Sequence, residues 1–468
     1  MTSAELTDLR AFTHANAGAA TPALIDFVSA YFDNTDPAEL QARGPAKLMA
    51  MAIAHLRLLQ TSPDASGARV RVFNPTLAED GFVSEYSVIQ IVQDDMPFLV
   101  DSVTMAVNRR GRIAHWIVHP LLILKRDPQQ QLSAVTLASS CPNGAAHIQS
   151  FIQVECDRLV SVGEREAMAL EIASVLCDVR AAVADWPAML QRVVAVCDSL
   201  SATGLTQPEQ QESVAFLRWL QDQNFTFLGA LDFGLTSGQT EQELEPLADS
   251  GLGILHGGAP SLVNQLAAQT RGFLESDRWV LVTKAMTRST VHRSAWLDCL
   301  AVKRLDADGR LLGETRFVGL YTSKAYAAPV ASIPQIRRRA DEVMSAVGVV
   351  TDSHASKALQ AILNAYPRDE LFQVDTATLI EHALAILRLQ ERQRARVLLR
   401  RDPFGRFTSV QVFVPRDRYN TELRSRIGQE LLQVLGGELV EFTPMLTDSP
   451  LARIHYLLRD QAQTVHSL

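Results

Sequence analysis

Apolar positions follow two different periods in the stretch from Ser87 to Asp127, which is the most informative part of the chain. Residues 87–92 form a dense run rich in β-branched side chains, which predicts a buried strand. A second apolar run extends from Ile113 to Lys125. Between the two runs, three apolar residues recur at helical spacing: Leu99, Val103 and Ala106. The pattern therefore predicts a strand, a helix and a second strand.

Capping and turn-forming residues mark the ends of this predicted helix. Asp95 is a candidate N-cap, Pro97 suits a first helical turn, and Gly111 lies where the helix is expected to end. Asp94, Asp95 and Asp101 could also take part in acid-base chemistry. Carboxylates at a helix start are more commonly explained by capping and by the helix dipole, so we favour that interpretation.

The remaining periods near this stretch complete a first α+β domain. Strands are predicted at Arg69–Phe73, Leu132–Leu137 and Ser150–Cys156, and a helix follows through Met168 and Val179. The order strand, helix, three strands, helix is close to a ferredoxin-like layer, in which helices cover one face of an antiparallel sheet. We expect this domain to occupy residues 66–185.

A helical segment is predicted to precede it over residues 1–65. Its two amphipathic helices should begin near Pro22 and Pro45 and pack as a hairpin. His55 lies on the apolar face of the second helix. We interpret it as a hydrogen-bonded core residue rather than a ligand.

The middle of the chain changes to a mainly β pattern. A connector helix and a linker are expected over residues 186–211, followed by a β domain over 212–332. Asp308-Gly309 lies between two alternating runs, which is a strong hairpin signal. The acidic stretch Glu241–Asp249 predicts a solvated loop.

The last third of the chain predicts helices and then a second α+β unit. The period is helical over 333–393, and residues 394–468 follow the order strand, strand, helix, strand, strand, with the helix from Asn420 to about Leu435. The predicted fold class is therefore α+β. It is a multidomain array of ferredoxin-like units with a mainly β middle domain and connecting helices.

Composition and charge limit the possible partners. The chain has 468 residues with 47% apolar and 21% charged side chains, and a net charge of −8, which favour a folded protein without a nucleic-acid partner. No apolar run approaches the ~20 residues of a membrane span, and the N-terminus lacks a signal-peptide pattern. We expect a cytoplasmic protein with no membrane partner. Five scattered cysteines, Cys141 among them, give no zinc or disulfide pattern, and Cys177 and Cys197 are expected in the core.

Known catalytic motifs are not evident in the sequence. The segment Gly251–Leu255 contains two glycines but follows an acidic stretch rather than a strand, so it is a weak imitation of a dinucleotide fingerprint. His115 and His119 are four residues apart in a predicted strand, which separates them by about 13 Å at ~3.3 Å per residue. That spacing is too long for one metal ion. Because no known catalytic or cofactor motif is evident either, no catalytic residue, cofactor site or metal site is predicted in this chain.

A cluster of basic residues is the remaining candidate for ligand binding. It could form an anion site, or its members could pair with the acidic stretch that precedes it. Surface ion pairs are common and contribute little, so we favour the second interpretation. The cluster consists of Lys284, Arg288, His292, Arg293, Lys303 and Arg304.

Several long segments resemble the N-terminal region of the large bacterial NAD-dependent glutamate dehydrogenases. They are QDDMPFLVDSVTMAVNRRG, TKAMTRSTVHR, ETRFVGLYTSKAY, YPRDELFQ, LQERQRARVLLRRDPFGRF and VPRDRYNTELR. The resemblance extends from about residue 70 to 460. It implies an array of ACT-like domains at 66–185 and 394–468 that precedes a separate dehydrogenase domain. NAD would then bind in the full-length enzyme and not in this chain.

The resemblance also implies a regulatory role. The chain would be a non-catalytic, oligomer-building segment whose partners are its own dehydrogenase domain, other copies of itself and a possible amino-acid effector. The alternative is a stand-alone amino-acid sensor. In the ACT ligand motif an Asp and a Pro-Gly pair join the first strand to the first helix, and Asp95 and Pro97 match it. Phe98 replaces the Gly, which favours a packing contact over ligand binding at this loop.

Overall fold

A computed structural model describes most of the chain and divides it into two compact units. The first unit contains Met1–Trp186, Leu252–Ile254 and Arg288–Ala295, and the second contains the rest. Cys141 lies outside the described residues. The described residues are 4–16, 22–64, 66–129, 132–140, 147–202, 204, 207–237, 242–256, 271–306, 308–350, 352–389, 392, 394–402, 405–446 and 449–459.

Four helices precede the sheet of the first unit, two more than the hairpin predicted. The helices at Pro22 and Pro45 are confirmed, and another begins at Pro37, where Asp36 caps it by accepting the Ala38 N–H at 2.8 Å. The helices are α1 (Ala4–Asn16), α2 (Pro22–Tyr31), α3 (Pro37–Arg43), α4 (Pro45–Leu58), α5 (Leu99–Arg109) and α6 (Val162–Ala184).

The sheet of the first unit is antiparallel in every pair and has the order β1-β2-β6-β4-β5, with β3 also paired to β6. The predicted single strand from Ile113 to Lys125 is wrong, because the structure splits it at His119-Pro120. Pro120 has no N–H to donate, and its carbonyl accepts from the Phe151 N–H at 3.1 Å. The strands are β1 (Arg69–Phe73), β2 (Ser87–Asp94), β3 (Ala114–Val118), β4 (Leu121–Arg126), β5 (Leu132–Leu137) and β6 (Gln149–Cys156).

Helices cover both faces of this sheet. On one face, α1 to α4 contribute to a core that includes Phe27 and Met51 from the helices and Val88 and Phe151 from the strands. On the other face, α5 lies against α6. The prediction of helices on one face only is therefore wrong, because the N-terminal segment belongs to the same core. Cys177 is exposed on α6, contrary to prediction, whereas Cys197 is buried.

The core histidine predicted at residue 55 is confirmed. Its Nδ1 accepts a hydrogen bond from the Tyr31 hydroxyl at 2.6 Å, and its Nε2–H donates to the Ile91 carbonyl at 3.1 Å. Burial lowers the pKa of His55 to about 3. The imidazole is therefore neutral and both of its nitrogens are satisfied inside the core.

The second unit contains a mainly antiparallel sheet with the order β10-β11-β12-β7-β8. The predicted hairpin at Asp308-Gly309 is confirmed. Gly309 has φ 81°, and the Asp306 carboxylate accepts the Asp308 and Arg310 N–H groups at 2.9 and 2.8 Å. The strands are β7 (Phe225–Ser237), β8 (Gln242–Pro246), β10 (Val280–Arg288), β11 (Trp296–Leu305) and β12 (Leu311–Tyr321), with the short β9 (Leu252–Gly253) assigned to the first unit.

The second unit also contains the predicted helical region and the C-terminal sheet. Its helices are α7 (Trp186–Ala202), α8 (Pro208–Trp219), α9 (Arg271–Glu275), α10 (Ser323–Ala327), α11 (Ile336–Val347), α12 (His354–Ala365), α13 (Arg368–Gln373), α14 (Thr376–Leu389) and α15 (Thr421–Leu435). Short 3-10 turns lie at Val330–Ser332 and Arg416–Arg418, and one π turn at Leu220–Asn224; a further 3-10 turn, Ala138–Ser140, lies in the first unit. The last strands are β13 (Arg396–Arg401), β14 (Phe407–Pro415), β15 (Glu438–Met445) and β16 (Leu451–Arg459).

The C-terminal sheet has the order β13-β14-β16-β15 and is antiparallel throughout. Val412 and Ile454 face α15, whereas Phe413 and Leu451 lie in a separate cluster with Leu389 of α14. Consecutive side chains of β14 therefore point to opposite, helix-covered faces. The ββαββ order predicted for this region is confirmed.

Two sheets of the chain share one topology. In the first unit the strand order is β1-β2-β6-β3, and α5 connects β2 to β3. In the second unit the strand order is β13-β14-β16-β15, and α15 connects β14 to β15. Both match the ferredoxin-like 4-1-3-2 order, except that the strand in position 4 precedes the others in the chain. We call these sheets with their helices the first and second module. The prediction of repeated ferredoxin-like units within an α+β fold is confirmed.

Among the described residues, no helix combines the length and the apolar character needed to cross a bilayer.

Candidate functional site

The loop between β2 and α5 is the candidate ligand loop of the first module. The Asp95 N–H donates to the Ile148 carbonyl at 3.0 Å, which holds the loop against the start of β6. The prediction that Asp95 caps α5 is wrong. The N-cap is Phe98, whose apolar side chain offers no acceptor, and Pro97 is exposed just before the helix rather than in its first turn.

Phe98 has a left-handed backbone, with φ 74° and ψ 4°. For a bulky residue this conformation costs roughly 1–2 kcal/mol relative to a right-handed one. The position therefore keeps the backbone that a Gly would adopt while it carries a large ring. That ring contacts the imidazole of His292, with centroids 5.0 Å apart and planes inclined by 43°.

His292 belongs to a loop, residues 288–295, that is part of the first unit. His292 also has a left-handed backbone, with φ 72°. The loop is closed on itself, because the Ser289 N–H donates to the Ala295 carbonyl at 2.8 Å and the Ser289 hydroxyl donates to the Val291 carbonyl at 2.7 Å. We call it the 288–295 loop.

Three hydrogen bonds attach the 288–295 loop to the helices of the first module. The His292 N–H donates to the buried hydroxyl of Ser102 in the first turn of α5, at 3.0 Å. The other two bonds involve one residue on each helix. The guanidinium of Arg109, the last residue of α5, donates to the Ser289 carbonyl at 3.2 Å, and the Thr290 hydroxyl donates to the carboxylate of Asp178 on α6 at 2.7 Å. The loop therefore bridges α5 and α6 and lies over the start of α5.

The three candidate aspartates have different surroundings. Asp94 lies 3.1 Å from the imidazole of His147. Burial raises the pKa of Asp95, although His119 partly opposes that rise. Asp101 is in the first turn of α5, as predicted for a carboxylate that complements the helix dipole, and its carboxylate lies 3.7 Å from His292 Nδ1.

His115 and His119 contact different partners. The His115 imidazole lies 2.7 Å from the Asp157 carboxylate, and the His119 imidazole lies 2.8 Å from the Ser150 hydroxyl. Burial lowers the pKa of His119, partly against the Asp95 charge. Each histidine therefore has its own hydrogen-bond partner.

The candidate anion residues are divided between the two units. Arg288, His292 and Arg293 belong to the first unit, whereas Lys284, Lys303 and Arg304 belong to the second. The Lys303 ammonium donates to the Ser276 carbonyl. The six residues therefore do not form one cluster within either unit.

Lys284 already has anionic partners. Its ammonium lies 2.7 Å from Asp298 and 3.4 Å from Asp369. Burial alone would lower the pKa of Lys284, but these carboxylates and Tyr326 outweigh it and raise the pKa above its usual value. Neither carboxylate comes from the acidic stretch that was predicted to pair with the basic cluster. A lysine paired with two carboxylates is poorly suited to bind a further anion.

The sequence did not reveal a buried ionic cluster in the second unit. Arg400 donates to Glu370 through Nε and Nη2 at 2.7 and 2.8 Å, and His455 lies 3.8 Å from Glu370. Burial raises the pKa of Glu370, but Arg400 outweighs it, so the net shift is downward. The cluster borders a cavity of about 40 Å³ that Lys284 also lines. Its members are far apart in the sequence, and the early signals were the two separate segments YPRDELFQ, which contains Glu370, and LQERQRARVLLRRDPFGRF, which contains Arg400.

The two modules define the class of this protein: it is a multidomain α+β array built from ACT-like modules. Comparison with family models supports this class. The glutamate dehydrogenase ACT1 domain matches residues 27–172, the glutamate dehydrogenase helical motif 1 matches 333–392, and the glutamate dehydrogenase ACT2 domain matches 396–468.

Curated relatives match most of the chain. NAD-specific glutamate dehydrogenase from Halomonas elongata is 36% identical over 85% of this chain, and the enzyme from Pseudomonas aeruginosa is 34% identical over 94%. The protein of that name from Mycobacterium tuberculosis is 28% identical over 85% of the chain. The chain belongs to the N-terminal region of the NAD-specific glutamate dehydrogenase family. It spans 25%, 27% and 24% of the lengths of these relatives.

Proposed function

We propose that the chain is a non-catalytic regulatory and oligomer-building segment of a large NAD-dependent glutamate dehydrogenase. The whole enzyme would convert L-glutamate and NAD to 2-oxoglutarate, ammonium and NADH in a separate domain. The observation that carries the proposal is the pair of modules with one strand order, in the regions that match the ACT1 and ACT2 domains. Its proposed partners are that dehydrogenase domain, other copies of the chain and an amino-acid effector.

The ligand loop supports a packing role over direct amino-acid sensing. The Phe98 ring takes the space beside the loop and contacts His292, and Ser102 already accepts the His292 N–H. A ligand at this loop would have to displace the 288–295 loop. The loop is therefore better suited to respond to neighbouring parts of an enzyme than to act as a stand-alone sensor.

Activity measurements on the purified 468-residue chain test the non-catalytic role. We expect no NADH formation from L-glutamate and NAD, measured by absorbance, and no heat of NAD binding in calorimetry. A whole NAD-dependent glutamate dehydrogenase assayed in parallel provides the positive control. NAD-dependent glutamate turnover by the chain alone would overturn the proposal.

Light scattering coupled to size-exclusion chromatography tests the oligomer-building role. We expect a mass that is a multiple of the 51.5 kDa chain mass. Phe98→Gly should loosen the assembly more than it changes the affinity for any amino acid, and an exposed-site variant, Arg426→Gln, should leave the mass unchanged. A single 51.5 kDa species at all concentrations would contradict this role, and an assembly unaffected by Phe98→Gly would show that Phe98 does not support the contact between copies.

A further inference from the structure

A second cavity in the second unit is larger and mainly apolar. It has a volume of about 280 Å³. Ile386 of α14, Phe413 of β14 and Leu451 of β16 form apolar walls. Ala361 and Ala365 on α12 form another side, and their short side chains leave the space open. The cavity is therefore a preformed site for a small apolar group.

One charged residue, Arg453, lies in this apolar surface. It is the third residue of β16, directly opposite Phe413 on one neighbouring strand and Met445 on the other. Its exposed fraction is only 8%. A guanidinium is costly to bury unless anionic or carbonyl partners compensate for the lost water.

The partners of Arg453 compensate for this cost only in part. Nη2 donates to the Ala365 carbonyl at the end of α12 and lies 2.7 Å from the Met445 sulfur. Nε is buried and has no acceptor. No carboxylate among the described residues contributes to its charge environment, and burial lowers the pKa of Arg453 to about 10. Arg453 thus differs from Arg400 of the same sheet, which has a two-point carboxylate partner.

We propose that this cavity binds a small monocarboxylate with an apolar tail, such as a branched-chain 2-oxo acid, and that its carboxylate pairs with Arg453. A carboxylate can accept charge-assisted hydrogen bonds from a guanidinium, so it would supply the anionic partner that Arg453 lacks among the described residues. The apolar walls would bury the tail, which is favourable in water. This site is separate from the ligand loop of the first module, so the proposal goes beyond the regulatory role and does not depend on it.

The lining of the cavity also indicates which carboxylates should be rejected. The described residues that line it include no Asp or Glu. The ammonium group of an amino acid would therefore be buried without a counter-charge, at a considerable cost in free energy. A simple carboxylate or a 2-oxo acid should bind more tightly than the amino acid with the same side chain.

Isothermal titration calorimetry on the 468-residue chain tests this proposal with 4-methylpentanoate as the probe. The uncharged 4-methylpentanamide and L-leucine serve as matched ligands. We expect 4-methylpentanoate to bind at least roughly tenfold more tightly than either of them. Failure of 4-methylpentanoate to bind at millimolar concentration, or equal binding of the amide, would overturn the proposal.

Two variants separate charge from shape. Arg453→Gln removes the guanidinium, and Ala361→Leu fills the cavity from an exposed helix position while Arg453 remains. Each should weaken binding of 4-methylpentanoate by roughly tenfold or more, whereas the exposed-site control Arg426→Gln should not. Unchanged binding in Ala361→Leu would overturn the location of the site, even if Arg453→Gln failed to fold.

A stability measurement distinguishes a binding arginine from a structural one. Arg453→Met removes a poorly compensated buried charge, so its thermal midpoint without ligand should equal or exceed that of the wild type. A ligand site further predicts that 4-methylpentanoate raises the midpoint of the wild type but not of Arg453→Met. A clear loss of midpoint in Arg453→Met together with no ligand effect in the wild type would assign Arg453 to capping of α12 alone.

Discussion

Two residues with left-handed backbones face each other at the start of α5. Phe98 and His292 both have positive φ, and their rings are in contact. Such conformations persist in non-Gly residues only where surrounding contacts compensate for their cost. Here the compensation comes from the ring contact and from the His292 N–H bond to Ser102. The strained pair therefore ties the 288–295 loop to the ligand loop.

Substitution of Phe98 separates backbone strain from ring contact. Phe98→Gly relieves roughly 1–2 kcal/mol of strain and loses a ring contact of about 0.5–1.5 kcal/mol, so the net change in stability should lie between about −0.5 and +1.5 kcal/mol. Phe98→Ala loses the ring but keeps the strain, and should be about 1 kcal/mol less stable than Phe98→Gly. Urea unfolding of the two variants measures this difference. Equal stabilities would show that the backbone at residue 98 is not strained.

The buried His55 should make stability depend on pH. Its pKa is about 3 in the folded chain and about 6.5 when unfolded, so the unfolded state binds more protons between these values. Stability should therefore fall as the pH falls from about 6.5 towards 3, by up to ~1.4 kcal/mol per pH unit from this residue. His55→Gln should have a shallower dependence, measured by thermal midpoints at each pH. The exposed-site variant His14→Gln is the control, and parallel wild-type and His55→Gln curves would contradict the assignment.

The sequence predicted single residues well where their local pattern determined their role. His55 on an apolar helix face and Gly309 in a two-strand turn are examples, because spacing and turn chemistry act over a few residues. It could not predict that Glu370, Arg400 and His455 meet. They are brought together only by the packing of α13 on the C-terminal sheet, which no local pattern encodes.

At the scale of elements, hydrophobic periodicity predicted the bounds of several strands closely. The predictions failed where pairing with a distant strand determines the structure. Arg69–Phe73 and Leu132–Leu137 were predicted to the residue. The acidic stretch predicted as a loop instead forms β8, because Gln242–Pro246 pairs with β7 in spite of its charge. The helix α3 was missed, although Asp36-Pro37 is a recognisable capping signal.

Gly428 offers an element-scale test of the second module. It is buried within α15, and an added Cβ would lie 3.4 Å from the Leu439 side chain and 3.6 Å from Tyr456, which are ordinary contact distances. Gly428→Ala should raise the free energy of unfolding by about 0.5–1 kcal/mol, because Ala has the higher helix propensity.

The matched control is Gly319→Ala. There an added Cβ would lie 2.1 Å from the Thr226 carbonyl oxygen, so the strand pairing must be disturbed and the chain destabilised. Urea denaturation of both variants provides the measurement. A loss of stability in Gly428→Ala would show that α15 packs more tightly on the sheet than these distances indicate.

At the scale of the whole molecule, each compact unit has its own core. Phe151 is buried in the core of the first unit, and Ile454 is buried in the second module. We expect two calorimetric transitions, because separate domains usually unfold separately. Phe151→Ala should lower one midpoint, by a loss of about 3–5 kcal/mol, and Ile454→Ala should lower the other, by about 2–5 kcal/mol. If either variant shifted both transitions equally, the units would not be independent in stability.

The position of the first strand in each module affects how the chain can fold. In the 4-1-3-2 order, the outer strand next to strand 1 normally comes last, so its pairing must wait until the whole module has been made. Here β1 and β13 come first and pair with the strands that follow them, β2 and β14. Each of these pairs therefore joins consecutive strands, so its loop-closure cost is small, and such local contacts form faster. On the ribosome, each module could therefore start from a hairpin before its helix has been synthesised.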